Sequence, residues 1–196
     1  MRAALVVVDM QRDFLPGGSL AVSGGDEIIP VLNEYIRLFN TNGELVVFTR
    51  DWHPEGHSSF VTHGGTWPVH CVRGTPGAAI DPRLEFPATC LLVSKATLQD
   101  KEAYSGFEGT RLADFLTDLG VEVVFVGGVA TEYCVKSTVL DAAKNRFRVF
   151  LLEDAIRGVD LKQGDSAKAI EEMHKGGAQL TSIGETKKLL SDLKAE

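Results

Sequence analysis

Short, uninterrupted apolar runs alternate with amphipathic, helix-length segments along most of this chain. Runs typical of strands buried on both faces lie at 5–8, 45–49, 91–94, 121–126, 148–152 and 179–182. The spacing of apolar residues predicts helices at 26–40, 110–119, 131–145 and 166–175, and an amphipathic tail at 185–194. Because such alternation requires right-handed crossovers, the chain is predicted to be an α/β protein with a mostly parallel sheet between helices.

The segment 51–89 is the exception to this pattern. It is dense in glycine, proline and histidine and shows no periodicity. A span of this length without regular structure is usually functional in a compact domain. With 196 residues, the chain is predicted to form one domain, 1–196, which carries this segment as a loop insertion.

Charge and composition exclude several classes of partner. The chain has 20 basic and 27 acidic residues, so its formal net charge is −7, and a nucleic-acid or anionic-membrane partner is not expected. No apolar run is long enough to span a bilayer, and the start of the chain reaches Asp9 without the apolar stretch of a signal peptide. Three cysteines are too few for a disulfide framework, which favours a reducing, cytoplasmic location.

Polar side chains follow most of the predicted strands, where α/β proteins bind their ligands. Asp9 follows the first strand, residues 50–53 the second, Lys95 the third, and 127–134 the fourth. Glu153 and Asp154 follow the fifth. No glycine-rich dinucleotide fingerprint or P-loop lysine follows any strand, so a nucleotide-binding function has little support.

The residues after the second strand favour a metal site. Asp51 and His53 have i, i+2 spacing, which projects both side chains to the same side of an extended chain. One carboxylate and two imidazoles form an open site for zinc, iron or manganese. Spacing alone leaves the second histidine open among His57, His63 and His70.

The start of the third predicted helix favours a nucleophile. Thr131 is a plausible N-cap, which places Cys134 in the first turn, where the helix dipole and unpaired N–H groups favour a thiolate. The same N–H groups could stabilise an oxyanion. Asp9 and Lys95 are the candidate partners, because they leave strand ends at the same edge. The other two cysteines are more typical of small buried hydrophobic residues.

Several motifs, in the same order along the chain, carry a resemblance to a known family. They lie at 7–20 (VVDMQRDFLPGGSL), 49–60 (TRDWHPEGHSSF), 67–72 (WPVHCV), 104–107 (YSGF) and 127–135 (GGVATEYCV), together with Lys95. The chain resembles the nicotinamidases and pyrazinamidases of the isochorismatase-like cysteine hydrolase superfamily. The Asp-Trp-His-Pro and Trp-Pro-x-His-Cys motifs are the features typical of its metal-bearing nicotinamidase branch.

The resemblance implies roles for particular residues. Asp9, Lys95 and Cys134 match the catalytic triad of the family. The matched metal ligands are Asp51, His53 and His70, while His57 matches a position that is a ligand only in some members.

It also implies an oxyanion hole and a ring pocket. The Val129–Ala130 peptide matches a bond that is cis in the superfamily, and the N–H groups of Ala130 and Cys134 match the oxyanion hole. The positions that line the ring pocket in relatives are Phe14, Leu20, Trp67, Tyr104, Val129 and Tyr133.

The implied fold is a three-layer α/β/α sandwich whose six parallel strands have the order 3-2-1-4-5-6. The implied activity is hydrolysis of nicotinamide to nicotinate and ammonia through a Cys134 thioester, with pyrazinamide as a further substrate and NAD salvage as the pathway. One divalent metal ion, zinc before iron or manganese, would bind the pyridine nitrogen. The resemblance leaves both a monomer and a homo-oligomer open.

Other functions are compatible with parts of this pattern. An amidohydrolase of the same superfamily that acts on a carbamoyl or ureido substrate would share the triad but not need the metal motif. Isochorismatases typically lack the cysteine. A flavodoxin-like binding module would have no use for a thiol beside an aspartate and a lysine.

Overall fold

The computed structural model describes residues 1–195 and has one parallel sheet at its centre. The strand order is β3-β2-β1-β4-β5-β6, which confirms the predicted α/β class and sheet order. The strands are β1 (Arg2–Val8), β2 (Leu45–Asp51), β3 (Cys90–Lys95), β4 (Val121–Val129), β5 (Arg148–Arg157) and β6 (Gln179–Thr181).

Helices cover both faces of the sheet. They are α1 (Ile29–Thr41), α2 (Leu112–Asp118), α3 (Lys136–Lys144), α4 (Asp165–Lys175) and α5 (Ile183–Ala195). A 3-10 turn, Gly25–Ile28, precedes α1, and a π-helical turn, Thr131–Val135, leads into α3. The predicted helices are therefore present, with the one predicted at 26–40 divided between a 3-10 turn and α1.

The alternation of side chains along the strands divides the core into two layers. Leu5 and Val7 of β1 pack in the layer that contains residues of α1 and α5. Val6 and Val8 pack in the layer that contains residues of α2, α3 and α4. Since successive side chains of a strand point to opposite faces, a run that is apolar at every position requires cover on both sides of the sheet.

The fifth strand extends further than predicted, and this corrects the expectation for Glu153 and Asp154. Both lie inside β5 rather than beyond its end. Asp154 accepts hydrogen bonds from the Tyr35 hydroxyl (2.7 Å) and the Ile183 N–H (2.9 Å), so it joins β5 to α1 and α5 and takes no part in the strand-end site.

The long connection between β2 and β3 has little regular structure, as predicted. Isolated bridges between His53 and Val72 and between Phe60 and Trp67 fold it back on itself. Within this connection, His53 and His70 lie beside Asp51, the last residue of β2. None of the helices described is long and apolar enough to cross a membrane.

Candidate active site

The side chains of Asp9, Lys95 and Cys134 meet at the carboxyl end of the sheet. The Lys95 Nζ atom lies 2.9 Å from Asp9 Oδ2 and 3.4 Å from Cys134 Sγ. An oxygen of Asp9 also lies within 4.8 Å of the sulfur. All three residues are buried. The structure therefore brings together three residues that are far apart in the sequence.

Asp9 is held in place by the neighbouring strand β2. Its backbone adopts a φ of 49°, which is uncommon for a residue other than glycine and is tolerated only where the surroundings fix it. The Thr49 hydroxyl donates to Asp9 Oδ1 (2.6 Å), and the Asp9 N–H donates to the Thr49 carbonyl (3.2 Å). Thr49 was not among the predicted site residues. It could have been found from its position in β2, the strand next to β1, two residues before Asp51.

Cys134 lies in the π-helical turn that precedes α3. The prediction that Thr131 is the N-cap is wrong: the preceding residue, Ala130, is extended, and its carbonyl accepts the N–H groups of Tyr133 (3.1 Å) and Val135 (3.2 Å). Thr131 is thus already inside the turn and buried. The Val129–Ala130 peptide bond is cis, as the resemblance implies.

For Cys134, Asp9 and Lys95, burial and the opposite charge nearby shift the pKa in opposite directions. Burial raises the pKa of the Cys134 thiol well above its ordinary value, and the Lys95 charge offsets this only in part. The direction of this shift runs against the expectation that the helix start favours a thiolate, because burial disfavours the charged form of the thiol. Burial also raises the pKa of Asp9, which strengthens it as a base. For Lys95, burial acts against the charge, but Asp51 and Asp9 outweigh it and raise the pKa.

Three residues form a group that fits a divalent metal. Donor atoms of Asp51, His53 and His70 all lie within 4.8 Å of one another. The Nδ1 atoms of His53 and His70 face the carbonyl oxygens of Ala96 (3.3 Å) and Pro68 (2.7 Å). Because a carbonyl only accepts, each Nδ1 carries the proton and each Nε2 has a free electron pair, which is the usual arrangement of metal-binding histidines.

The orphaned Nε2 of His53 strengthens this fit. It is buried, has no hydrogen-bond partner and lies 3.6 Å from Asp51 Oδ2. Two electron-pair donors that face each other need a cation between them. Lys95 donates to the other oxygen of Asp51. Burial acts against the Asp51 charge, but the Lys95 charge outweighs it and lowers the pKa of this carboxyl.

His57 lies behind this group. It packs on His53 with ring centroids 4.2 Å apart, and with His53 and Glu102 it forms a second cluster of donor atoms. Both of its ring nitrogens, however, have partners. The Ser59 N–H donates to Nδ1 (3.3 Å), so Nε2 carries the proton and donates to the Lys101 carbonyl (3.2 Å).

His63, the third histidine that spacing left open, does not join either cluster. It is exposed, and its Nδ1 contacts the Thr62 hydroxyl at 3.0 Å. His70 is therefore the one of the three whose ring nitrogen completes the group with Asp51 and His53.

A narrow cleft, partly open to solvent, lies in front of Cys134. Trp67 donates a hydrogen bond from Nε1 to the Tyr104 hydroxyl (2.9 Å). Its ring packs edge-to-face with that of Tyr133, with the ring centroids 5.1 Å apart. The lining residues are Phe14, Leu20, Val22, Asp51, Trp67, His70, Glu102, Tyr104, Ala130, Tyr133, Cys134 and Val159.

This lining differs from the predicted one at four positions. Val129 is absent from it, because its side chain is buried in the core layer that contains α1. Val22, Glu102 and Val159 were not predicted. Neither Val22 nor Val159 lies in a motif that carried the resemblance, so nothing in the sequence marked them.

Comparison with known proteins agrees with this geometry. The family described as the isochorismatase domain matches residues 3–185. The chain belongs to the isochorismatase family. The relatives in this family include hydrolases that act on amide bonds.

Individual members of the isochorismatase family are similar over almost their whole length. The nicotinamidase of Escherichia coli (strain K12) is 36% identical over 93% of this chain and 95% of its own. The pyrazinamidase of Pyrococcus horikoshii, solved in complex with zinc, is 54% identical with a TM-score of 0.89, covering 93% of this chain and 99% of that one. A protein of L. infantum in complex with nicotinate is 38% identical with a TM-score of 0.83, covering 92% of each chain.

Proposed function

We propose that this chain hydrolyses nicotinamide to nicotinate and ammonia, and pyrazinamide in the same site. The observation that carries the proposal is the buried thiol of Cys134, in contact with Lys95 and near Asp9, at the end of an aromatic cleft. The same cleft reaches Asp51 and His70. The similarity to nicotinamidases and to a pyrazinamidase supports the choice of substrate.

The cleft suits a flat aromatic amide. Trp67, Tyr104 and Tyr133 provide ring faces and edges, and Phe14 and Leu20 add apolar walls. A ring held between these side chains directs its carboxamide towards the sulfur, which lowers the entropic cost of the attack.

Asp51, His53 and His70 would hold the divalent metal, and His57 would support His53 rather than bind the ion. Zinc is the first choice, because histidine and carboxylate ligands suit it and the Pyrococcus horikoshii relative was solved with zinc. When bound, the metal would supply a positive charge that orients the ring nitrogen.

In the first half-reaction, Asp9 takes the proton of the Cys134 thiol as the sulfur bonds to the amide carbonyl carbon. Because the thiol pKa is raised, the sulfur needs a base at the moment of attack, and the raised pKa of Asp9 suits this task. Lys95 contacts both groups and stabilises the negative charge. We assign the oxyanion to the N–H groups of Ala130 and Cys134.

The rest of the cycle returns every group to its starting state. The C–N bond breaks as Asp9 gives its proton to the departing nitrogen, which leaves as ammonia. A nicotinoyl thioester remains on Cys134. Water then gives a proton to Asp9 as its oxygen attacks the thioester carbonyl, the C–S bond breaks, and the sulfur takes this proton back from Asp9. The acid that forms loses its remaining proton to solvent and leaves as nicotinate.

A coupled ammonia assay tests the proposed function. We expect the metal-loaded protein to release ammonia and nicotinate in equal amounts from nicotinamide, and to release ammonia from pyrazinamide. N-carbamoyl and ureido compounds, which the alternative amidohydrolase function requires, are expected to give much slower release, because they lack the ring that the cleft fits. Faster release from these compounds than from nicotinamide would contradict the proposal.

Metal affinity separates His53 from His57. We expect His53→Ala to weaken zinc binding by more than about 100-fold, since it removes a ligand, and His57→Gln to weaken it by only about tenfold, since it changes a supporting contact. Competition with a chromophoric chelator measures both affinities. Equal losses in the two variants would show that His57 is itself a ligand.

The product points to a place in metabolism. Nicotinate can re-enter pyridine nucleotide synthesis, so we propose that the reaction belongs to NAD salvage. A cytoplasmic location stays a prediction, and both a monomer and a homo-oligomer are compatible with the proposed function.

A further inference from the structure

One wall of the cleft comes from a segment that no motif marked. Residues 158–164 connect β5 to α4, and in this segment Val159 lines the cleft. Val159 is half-buried and packs against the core layer that also contains Phe14 and Val22. It therefore faces the substrate space from an element that carries none of the triad or metal residues.

The carboxylate of Glu132 anchors this segment. Its Oε1 atom accepts the backbone N–H groups of Val159 (2.8 Å) and Asp160 (2.6 Å). Hydrogen bonds to a charged acceptor are about twice as strong as neutral ones. Glu132 stands two residues before Cys134 in the same helical turn, so one short piece of chain carries Cys134 and also anchors the segment that contains Val159.

The packing beside this anchor leaves no free space. A Cβ atom on Gly158 would lie 1.8 Å from the Ser166 hydroxyl and 2.5 Å from Glu132 Oε2. Only glycine lets the backbone approach the carboxylate this closely. The position of Val159 is thus fixed from two sides, by the hydrogen bonds of Glu132 and by the contact at Gly158.

We propose that Val159 is a specificity-determining residue that limits substituents on the substrate ring, and that Glu132 is the positioning residue that holds it. This inference rests on the proposed function. The substrates it concerns are pyridine carboxamides with a small alkyl group on the ring. Because Val159 lines the cleft, its side chain would limit the room for such a group.

Variants at the two positions separate the two roles. Val159→Ala removes the wall. Glu132→Ala leaves two backbone N–H groups without their acceptor and releases the segment, whereas Glu132→Gln keeps a carbonyl oxygen at the Oε1 position. Val31→Ala is the matched control, because Val31 is also half-buried against the same core layer but lies in α1, outside the cleft.

The measurement is kcat/KM for a panel of monomethyl nicotinamides relative to nicotinamide, with thermal unfolding as a check on folding. We expect kcat/KM for at least one methylated nicotinamide, relative to that for nicotinamide, to rise about tenfold in V159A and in E132A. The same ratio should return towards the wild-type value in E132Q and stay unchanged in V31A. In E132A we also expect KM for nicotinamide to rise with little change in kcat.

The outcomes that overturn the proposal are distinct. Relative values within twofold of wild type in V159A would overturn the role of Val159. An unchanged profile in E132A, or the same profile in E132Q as in E132A, would overturn the positioning role of Glu132. Failure of the wild-type protein to release ammonia from nicotinamide would instead overturn the proposed function, and this inference with it.

Discussion

Replacing Cys134 with alanine is expected to lower ammonia release from nicotinamide by about 10⁴-fold or more, because no other group can form the covalent intermediate. The ring contacts of Trp67, Tyr104 and Tyr133 and the metal group are untouched by this change. Nicotinamide should therefore still bind to C134A with an affinity close to that of the native protein. Ammonia assays and calorimetric titration measure the two quantities.

Cys90→Ala is the control for this experiment. Cys90 is a partly buried thiol at the start of β3, at the opposite end of that strand from Lys95, and its loss should leave turnover unchanged. Normal turnover by C134A would refute covalent catalysis by Cys134. Loss of both turnover and nicotinamide binding would show that the sulfur serves the structure of the cleft.

Replacing Lys95 with methionine is expected to abolish activity and to lower the free energy of unfolding at pH 7 by about 3–5 kcal/mol, because it leaves two buried carboxylates without their cation. Lys95 is fully buried and contacts both Asp9 and Asp51. Methionine keeps most of the volume, so the loss reports on charge rather than on a cavity.

The pH dependence of this loss identifies its cause. Without the cation, burial raises the folded-state pKa values of Asp9 and Asp51 above their unfolded values. Such a carboxyl destabilises the fold least at a pH below its pKa in the unfolded state. The free energy of unfolding then falls as the pH rises through the pKa of the folded state. The difference in unfolding free energy between K95M and the native protein should therefore be smaller at pH 5 than at pH 7.

Urea unfolding at the two pH values, with chelator present, measures this difference. Lys136→Met is the matched control: Lys136 pairs with Glu172 at 3.0 Å, but both side chains are partly exposed, so a loss of about 1 kcal/mol or less is expected. If K95M lowers the free energy of unfolding by the same amount at pH 5 and pH 7, the buried charges are not the source of the loss.

The sequence was sufficient to predict the fold and most of the residues that meet in the candidate site. The apolar runs of β1, β2 and β4 are typical of strands covered on both faces, so they predicted a parallel sheet, and strand ends in such a sheet converge on one edge. Asp9, Lys95 and Cys134 were found in this way, and their motifs then carried the family resemblance.

What the sequence could not predict depends on three-dimensional packing. The pKa of Cys134 depends on how deeply the thiol is buried, and the position of the residue in the chain does not reveal this. The protonated nitrogens of His57 and His70 depend on which backbone carbonyls lie opposite. Val159 was missed because it follows β5, and this strand extends beyond the apolar run from which its end was predicted.

The covalent step at Cys134 is the central claim, and the mass of the enzyme quenched in acid during turnover of nicotinamide tests it most directly. We predict one nicotinoyl group on the peptide that contains Cys134, and none in C134A treated in the same way. A nicotinoyl group on any other residue, or an unmodified Cys134 peptide at every quench time while nicotinate accumulates, would contradict the account.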